Sequence, residues 1–277
     1  MNIGVVGLGL IGGSIAKSIK QNTDYKVFGT DIQDSVIYCA KLFEAIDDAL
    51  DEKNLSECDM LIVALYPKDT IDYINTHAAS FKKGCIVTDC GGVKEMVCEA
   101  LLDTAIANDF VFIGAHPMAG IENSGFRYAH EQLFCNASML ITPYHQTPLE
   151  ILDFMKQFWL KLGFSNITLC SPEEHDRMIA YTSQLAHVVS SAYVKSKLAP
   201  KHQGFSAGSF RDMTRVAKLN ENLWTELFFA NRQNLISELN GLLERLVEYR
   251  DALQFNEPER VKELLQEGRK IKESIAD

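Results

Sequence analysis

A doubly wound α/β half followed by an all-α half is the fold predicted by three features of this 277-residue sequence. Short β-rich apolar runs alternate with helical patterns as far as residue 170, a glycine-rich turn joins the first run to the first helix, and beyond Cys170 the β-rich runs stop. The runs lie at Ile3–Gly7, Lys26–Thr30, Met60–Leu65, Cys85–Asp89, Val111–Gly114 and Ser138–Thr142, with candidate helices near 12–22, 34–45, 67–80, 93–107 and 148–162. Continuous apolar strands separated by helices imply a parallel sheet covered on both faces. At roughly 150 residues per domain the length leaves room for about two, and the change of texture puts them at 1–170 and 171–277.

The second half opens at Ser171, an N-cap followed by Pro172 at the first helical position and by Glu173 and Glu174 in the first turn. That helix is expected to run from 173 to about 198. Asn220 caps a second, long helix in which Phe228, Leu235, Leu242 and Tyr249 recur every seven residues, as do Leu239, Leu246 and Leu253. Such a stripe needs a partner helix, which is either the one at 173–198 or a second copy of the chain. A last helix opens at Pro258.

Composition excludes several classes of function. Hydrophobic residues make up 47% and charged residues 23%, which is a globular and not a disordered composition. A net charge of −10 repels a phosphate backbone, so nucleic acid is not an expected partner. The seven cysteines include no C-x-x-C pair and several fall within apolar runs, which predicts a reducing, cytoplasmic setting without a zinc or other metal site. The apolar stretch from Ile3 to Ala16 lacks a basic flank, is rich in glycine, and is too short to span a bilayer.

Gly7, Gly9 and Gly12 spell G-x-G-x-x-G between a strand and a helix, the Rossmann-type dinucleotide fingerprint. Gly7 permits the tight turn, Gly9 the approach of a pyrophosphate, and Gly12 close packing of helix on strand, while the helix start supplies free N–H groups. The turn Gly7, Leu8, Gly9, Leu10, Ile11 and Gly12 is therefore the candidate cofactor site. Asp31, at the end of the second run, is placed to accept hydrogen bonds from both ribose hydroxyls and to repel a 2′-phosphate, which favours NAD over NADP. The competing reading of Asp31 is a cap on the helix starting near Asp34.

His116 stands at the carboxyl end of a strand, where a doubly wound sheet presents its ligands. An imidazole there suits taking a proton from a hydroxyl as hydride leaves the same carbon. The alternative is a strand-end histidine satisfied by backbone.

Several motifs in order make the chain similar to the prephenate/arogenate dehydrogenase family of tyrosine biosynthesis: Gly7 to Ser14, Asp89-Cys-Gly-Gly-Val-Lys94, the His-Pro-Met-Ala-Gly run within Gly114 to Gly125, Ser183-Gln-Leu-Ala-His187, Gly204 to Ala217, and Trp224. The resemblance covers nearly the whole chain. It implies that His116 accepts the ring-hydroxyl proton of a cyclohexadienol while hydride passes to NAD and carbon dioxide departs, giving 4-hydroxyphenylpyruvate from prephenate or tyrosine from arogenate. It also implies that His187, with Ser183 and Gln184, holds the substrate and that Arg215 grips its carboxylate, for which a planar guanidinium is well shaped. Asp212 would orient Arg215, Glu122 would lie near the same site, and Gly92 would lie beside the nicotinamide. A homodimer through the helical half follows from the same resemblance.

Three of these motifs depart from the family pattern, at four positions. Gly92 replaces a serine, so a hydroxyl near the nicotinamide is missing and water, backbone or Cys90 must stand in. Gln184 and Ala186 replace a histidine and a proline, and Ile121 replaces a threonine. Met1 leads directly into the first strand and no β-rich segment follows the last helix, so a monofunctional enzyme without a dedicated regulatory module is expected. Two other readings stay open: a different Rossmann-plus-helical dehydrogenase acting on 3-hydroxy acids or imines, and a non-catalytic NAD-binding sensor.

Overall fold

Alternate residues of the apolar runs face opposite sides of the sheet, and each side has its own core. Ile3, Val5, Met60 and Ile62 join Ile15, Ile19, Phe158 and Trp159 on one side, while Val6, Leu61 and Val63 join Ile74, Val97 and Leu101 on the other. Burial on both faces explains why these runs read as continuously apolar instead of alternating. The computed structural model describes residues 1–121 and 123–275.

Among the described residues the sheet has eight strands: β1 (Asn2–Val6), β2 (Lys26–Thr30), β3 (Asp48–Ala49), β4 (Met60–Val63), β5 (Ile86–Asp89), β6 (Val111–Pro117), β7 (Ser138–Thr142) and β8 (Asn166–Leu169). Their order is β3-β2-β1-β4-β5-β6-β7-β8. The intervening helices are α1 (Leu10–Asn22), α2 (Asp34–Leu42), α3 (Glu52–Glu57), α4 (Pro67–His77), α5 (Glu95–Asn108) and α6 (Leu149–Lys161). The strand order reverses between β1 and β4, so the carboxyl ends of β1, β2, β4, β5 and β6 lie along one edge of the sheet, where such a switch places a ligand.

The sheet differs from the expected parallel one at a single pairing: β7 runs antiparallel to β6, with His116 opposite Leu140. A parallel return needs a crossover element, and the described part of the β6–β7 connection holds only the 3₁₀ turn Phe126–Tyr128. The α6 crossover then makes β8 parallel to β7.

The remaining helices are α7 (Pro172–Ile179), α8 (Leu185–Tyr193), α9 (Gly208–Thr214), α10 (Glu221–Ala230), α11 (Arg232–Gln254) and α12 (Pro258–Ser274). Ser171 caps α7 by accepting from Glu174 N, and Asn220 caps α10 by accepting from Asn222 N and Leu223 N. A π-helical turn, Ala180–Gln184, joins α7 to α8. The long helix expected from Asn220 is instead two, broken at Asn231, whose buried side-chain amide donates to Asp176 O and Gln184 Oε1. The chain forms two compact units, Met1–Asn231 and Arg232 onward. The first continues past residue 170 because Asp176 of α7 accepts from Lys94 N and Glu95 N of the sheet half, while Gln184 and Asn231 tie α7, the π turn and α10 together.

Candidate active site

Gly7 sits at φ +83, a backbone state open to glycine, and a side chain there would collide with Ala64 O. A Cβ on Gly12 would lie 1.9 Å from Gly7 O, so only glycine lets α1 start this close to β1. Gly9 is the opposite case, since a Cβ built there meets nothing within 4 Å. The start of α1 has no side-chain cap and no acid in its first turn, which leaves N–H donors and positive potential facing open space. That is a cradle fitted to an anionic pyrophosphate. Leu8 is buried, and Leu10 and Ile11 are half-buried in the first turn of α1. Asp31 accepts from Leu8 N at 2.9 Å and Gln33 N at 3.0 Å, and the cap position of α2 belongs to Gln33. The carboxylate is thus fixed at the end of β2 without capping the next helix.

The β5–α5 turn is organised by a buried ion pair. Asp89 Oδ2 binds Lys94 Nζ and accepts from Gly91 N, while Oδ1 accepts from Ala115 N, the residue before His116. The same carboxylate therefore ties the turn to the strand that carries the imidazole. A Cβ on Gly92 would lie 3.9 Å from His116 Nε2 and 3.3 Å from a methyl of Leu227, so the residue that faces the imidazole has no side chain and α10 closes the space beyond it. Cys90 packs against the apolar core and burial pushes its thiol upward, which makes it a poor substitute for an alcohol.

Behind His116 lies a chain of polar groups that sequence reasoning missed. His116 Nδ1 is 2.9 Å from His175 Nε2, and His175 Nδ1 is 2.7 Å from Asp176 Oδ1. Asp176 also accepts from Lys94 N at 2.8 Å and Glu95 N at 3.0 Å, so a side chain from α7 caps α5. Burial, followed by His175 and Lys94, holds His116 well below the usual histidine range. Burial lowers His175 as well, against the opposing pull of Asp176. A His-Asp pair inside an otherwise acidic first helical turn, Glu173-Glu174-His175-Asp176, was the available signal.

A second group sits around α8. His187 Nδ1 donates to Val216 O at 2.9 Å, and its ring lies 3.7 Å from that of Trp224. Burial lowers His187, and the nearby Arg215 guanidinium lowers it further. Arg215 and Asp212 are exposed. Ser183 is half-buried in the π turn, whereas Gln184 is buried, receiving from Asn231 and donating to Leu227 O at 3.3 Å. Gln184 was expected among the substrate contacts, but both ends of its amide are engaged inside the fold, where it braces α8 against α10. Glu122 lies outside the described residues. His116 and His187 are linked through α10, since Leu227 closes over Gly92 and Trp224, one turn earlier, packs on His187.

A mostly parallel nucleotide-binding sheet with an imidazole at its carboxyl edge, followed by helices that carry a second histidine, is the architecture of a Rossmann-type protein with a helical second half. Comparison with known proteins makes the assignment finer. Residues 15–168 match the family model described as prephenate dehydrogenase, nucleotide-binding domain, and residues 171–267 match prephenate dehydrogenase, dimerization domain. The prephenate dehydrogenase of Bacillus subtilis is 32% identical over 251 residues, 87% of this chain and 67% of that protein. Arogenate dehydrogenase from Synechocystis superposes with a TM-score of 0.84 at 28% identity, covering 99% of both chains. Prephenate dehydrogenase from A. aeolicus, solved with hydroxyphenyl propionate and NAD+, gives 0.87 at 26% identity, covering 100% of this chain and 98% of that one. The chain belongs to the prephenate dehydrogenase family.

Proposed function

We propose that this chain is an NAD-dependent prephenate dehydrogenase, converting prephenate to 4-hydroxyphenylpyruvate and carbon dioxide as a step toward tyrosine. The observation that carries the reading is His116, at the carboxyl edge of the sheet, held neutral by burial with Nε2 3.9 Å from where a Cβ of Gly92 would stand. Bound at the Gly7–Gly12 cradle, NAD supplies the hydride acceptor. His116 Nε2 takes the ring-hydroxyl proton, and the loss of carbon dioxide is driven by the aromatic product. His187 and Arg215 receive the carboxylated side of the substrate, with Asp212 and Ser183 as neighbours of that pocket. Asp31 is assigned to the adenosine ribose, Gly92 to the nicotinamide side, and a homodimer through the helical half accords with the family model of residues 171–267. No helix among the described residues is long and apolar enough to cross a membrane. With the seven cysteines unpaired, we place the protein in the cytoplasm.

Arogenate is the second candidate substrate, because the Synechocystis structure of similar fold carries that activity. The test follows NADH appearance with prephenate and with arogenate, for the native chain and for His116→Asn. Faster turnover of prephenate, with a loss of at least ~10²-fold in His116→Asn and unchanged NAD binding, is expected for a general base. Faster turnover of arogenate reassigns the substrate, and undiminished turnover in the variant removes His116 from the chemistry.

A further inference from the structure

We propose that His175 and Asp176 act as positioning residues that set the tautomer of His116, an inference that rests on the reading of His116 as the base. The carboxylate of Asp176 is pinned by two backbone donors at the start of α5, Lys94 N at 2.8 Å and Glu95 N at 3.0 Å. A carboxylate only accepts, so the ring nitrogen 2.7 Å from its Oδ1, His175 Nδ1, carries a hydrogen. A neutral imidazole has one N–H, and burial keeps His175 neutral. His175 Nε2 is therefore a lone pair, and His116 Nδ1, 2.9 Å away, must donate to it. The single hydrogen of neutral His116 is thereby committed to Nδ1. Its Nε2 is left bare, on the side facing Gly92, as an acceptor for a hydroxyl proton.

The order of donors runs one way from the helix start to the reacting nitrogen, and no proton has to travel along it. When Nε2 takes the substrate proton, the resulting imidazolium keeps its Nδ1–H bond to His175. The other charged groups at this point are Lys94 and Asp89, which bind each other, and Glu95, whose backbone N–H joins the pin. A histidine outside this chain would be free to exchange its hydrogen between the two nitrogens, and a fraction of the enzyme would present N–H where a base is required.

The substitutions His175→Gln and His175→Leu separate hydrogen-bond polarity from bulk. A glutamine amide offers an oxygen to His116 Nδ1–H and an NH₂ to Asp176, reproducing the direction of both bonds, whereas leucine offers neither. Nitrogen-15 spectra of histidine-labelled full-length protein, taken without substrate, are expected to show His116 with its hydrogen on Nδ1 in the native chain and in His175→Gln, and a mixed or reversed tautomer in His175→Leu. Turnover should follow the tautomer: at least ~10²-fold lost in kcat for leucine, with KM and NAD binding little changed, and most of it regained with glutamine. A native His116 bearing its hydrogen on Nε2, an unaltered tautomer in His175→Leu, or glutamine no better than leucine overturns the proposal. Should the leucine variant not fold, the native and glutamine spectra still decide it. The expected spectra in a protein that turns over neither cyclohexadienol would leave the tautomer assignment standing and remove the proposed function instead.

Discussion

Lys94 shows how a single buried residue can hold a turn and a strand together. Its side chain is fully buried against Asp89, whose carboxylate also fixes Gly91 N and Ala115 N. Removing one member of a buried pair strands the other charge and costs about 3–5 kcal/mol. Lys94→Met should therefore lower the unfolding free energy from denaturant titration by that amount, and the loosened β5–α5 turn should reduce turnover along with it. A stability within about 1 kcal/mol of the native chain would show that Asp89 is satisfied by the backbone donors alone. Asp31 makes the complementary case, a carboxylate pinned by Leu8 N and Gln33 N at the strand end. If Asp31 faces the ribose as proposed, it would repel a 2′-phosphate, so Asp31→Ala should narrow the ratio of NAD to NADP in kcat/KM; a native enzyme already preferring NADP would end the ribose assignment.

At the scale of elements, the legible parts of the sequence were those whose signal is local. The five longer strands of the expected parallel core, the Gly7–Gly12 turn, the caps at Ser171 and Asn220 and the position of His116 follow from apolar runs, glycine spacing and capping chemistry. β3, with two residues, and α3, with six, are too short to carry a period, and β8, four residues of mixed polarity and mostly exposed, has no continuous apolar run. The direction of β7 depends on what lies between it and β6, which apolarity does not encode. The break at Asn231 depends on Asp176 and Gln184, more than forty positions earlier in the chain, so the seven-residue period runs through it unmarked. The same non-locality hid His175: its role comes from an imidazole on β6 and a helix start on α5, brought together only by the fold.

For the molecule as a whole, acid is the condition that the site tolerates least. His116, His175 and His187 are all lowered from 6.5, each chiefly by burial. Below about 6.5 the unfolded chain takes up protons that the folded chain refuses, so the stability these groups contribute is complete above that pH and is lost as pH falls toward their depressed folded values. Glu95, pushed up by burial and by Asp176, works in the opposite direction at lower pH, while Asp47, Asp48 and Asp59 are lowered and matter only below the usual carboxylate range. The melting temperature should be flat from pH 8 to 7 and fall from about 6.5 downward, and His175→Gln should make that fall shallower. A midpoint that rises on acidification to pH 5.5 would contradict the burial of neutral imidazoles.

The second unit raises the question of assembly. Of the two seven-residue series in α11, Leu235 is buried and Leu242 and Tyr249 are half-buried, whereas Leu246 and Leu253 are 53% and 69% exposed, beside exposed Leu243 and Val247. Each large apolar side chain left in water forgoes about 1.5–3 kcal/mol, and a stripe repeating every seven residues matches the surface of another helix. A second copy of the chain supplies such a helix, in line with the dimerization family model over residues 171–267. Leu246→Glu combined with Leu253→Glu places like charges across a two-fold interface without disturbing the buried series. Sedimentation velocity should then show the native chain as a dimer and the double variant as a folded monomer with an unchanged circular dichroism spectrum. A double variant that still sediments as the native dimer would mean that this face of α11 lies outside the contact between copies.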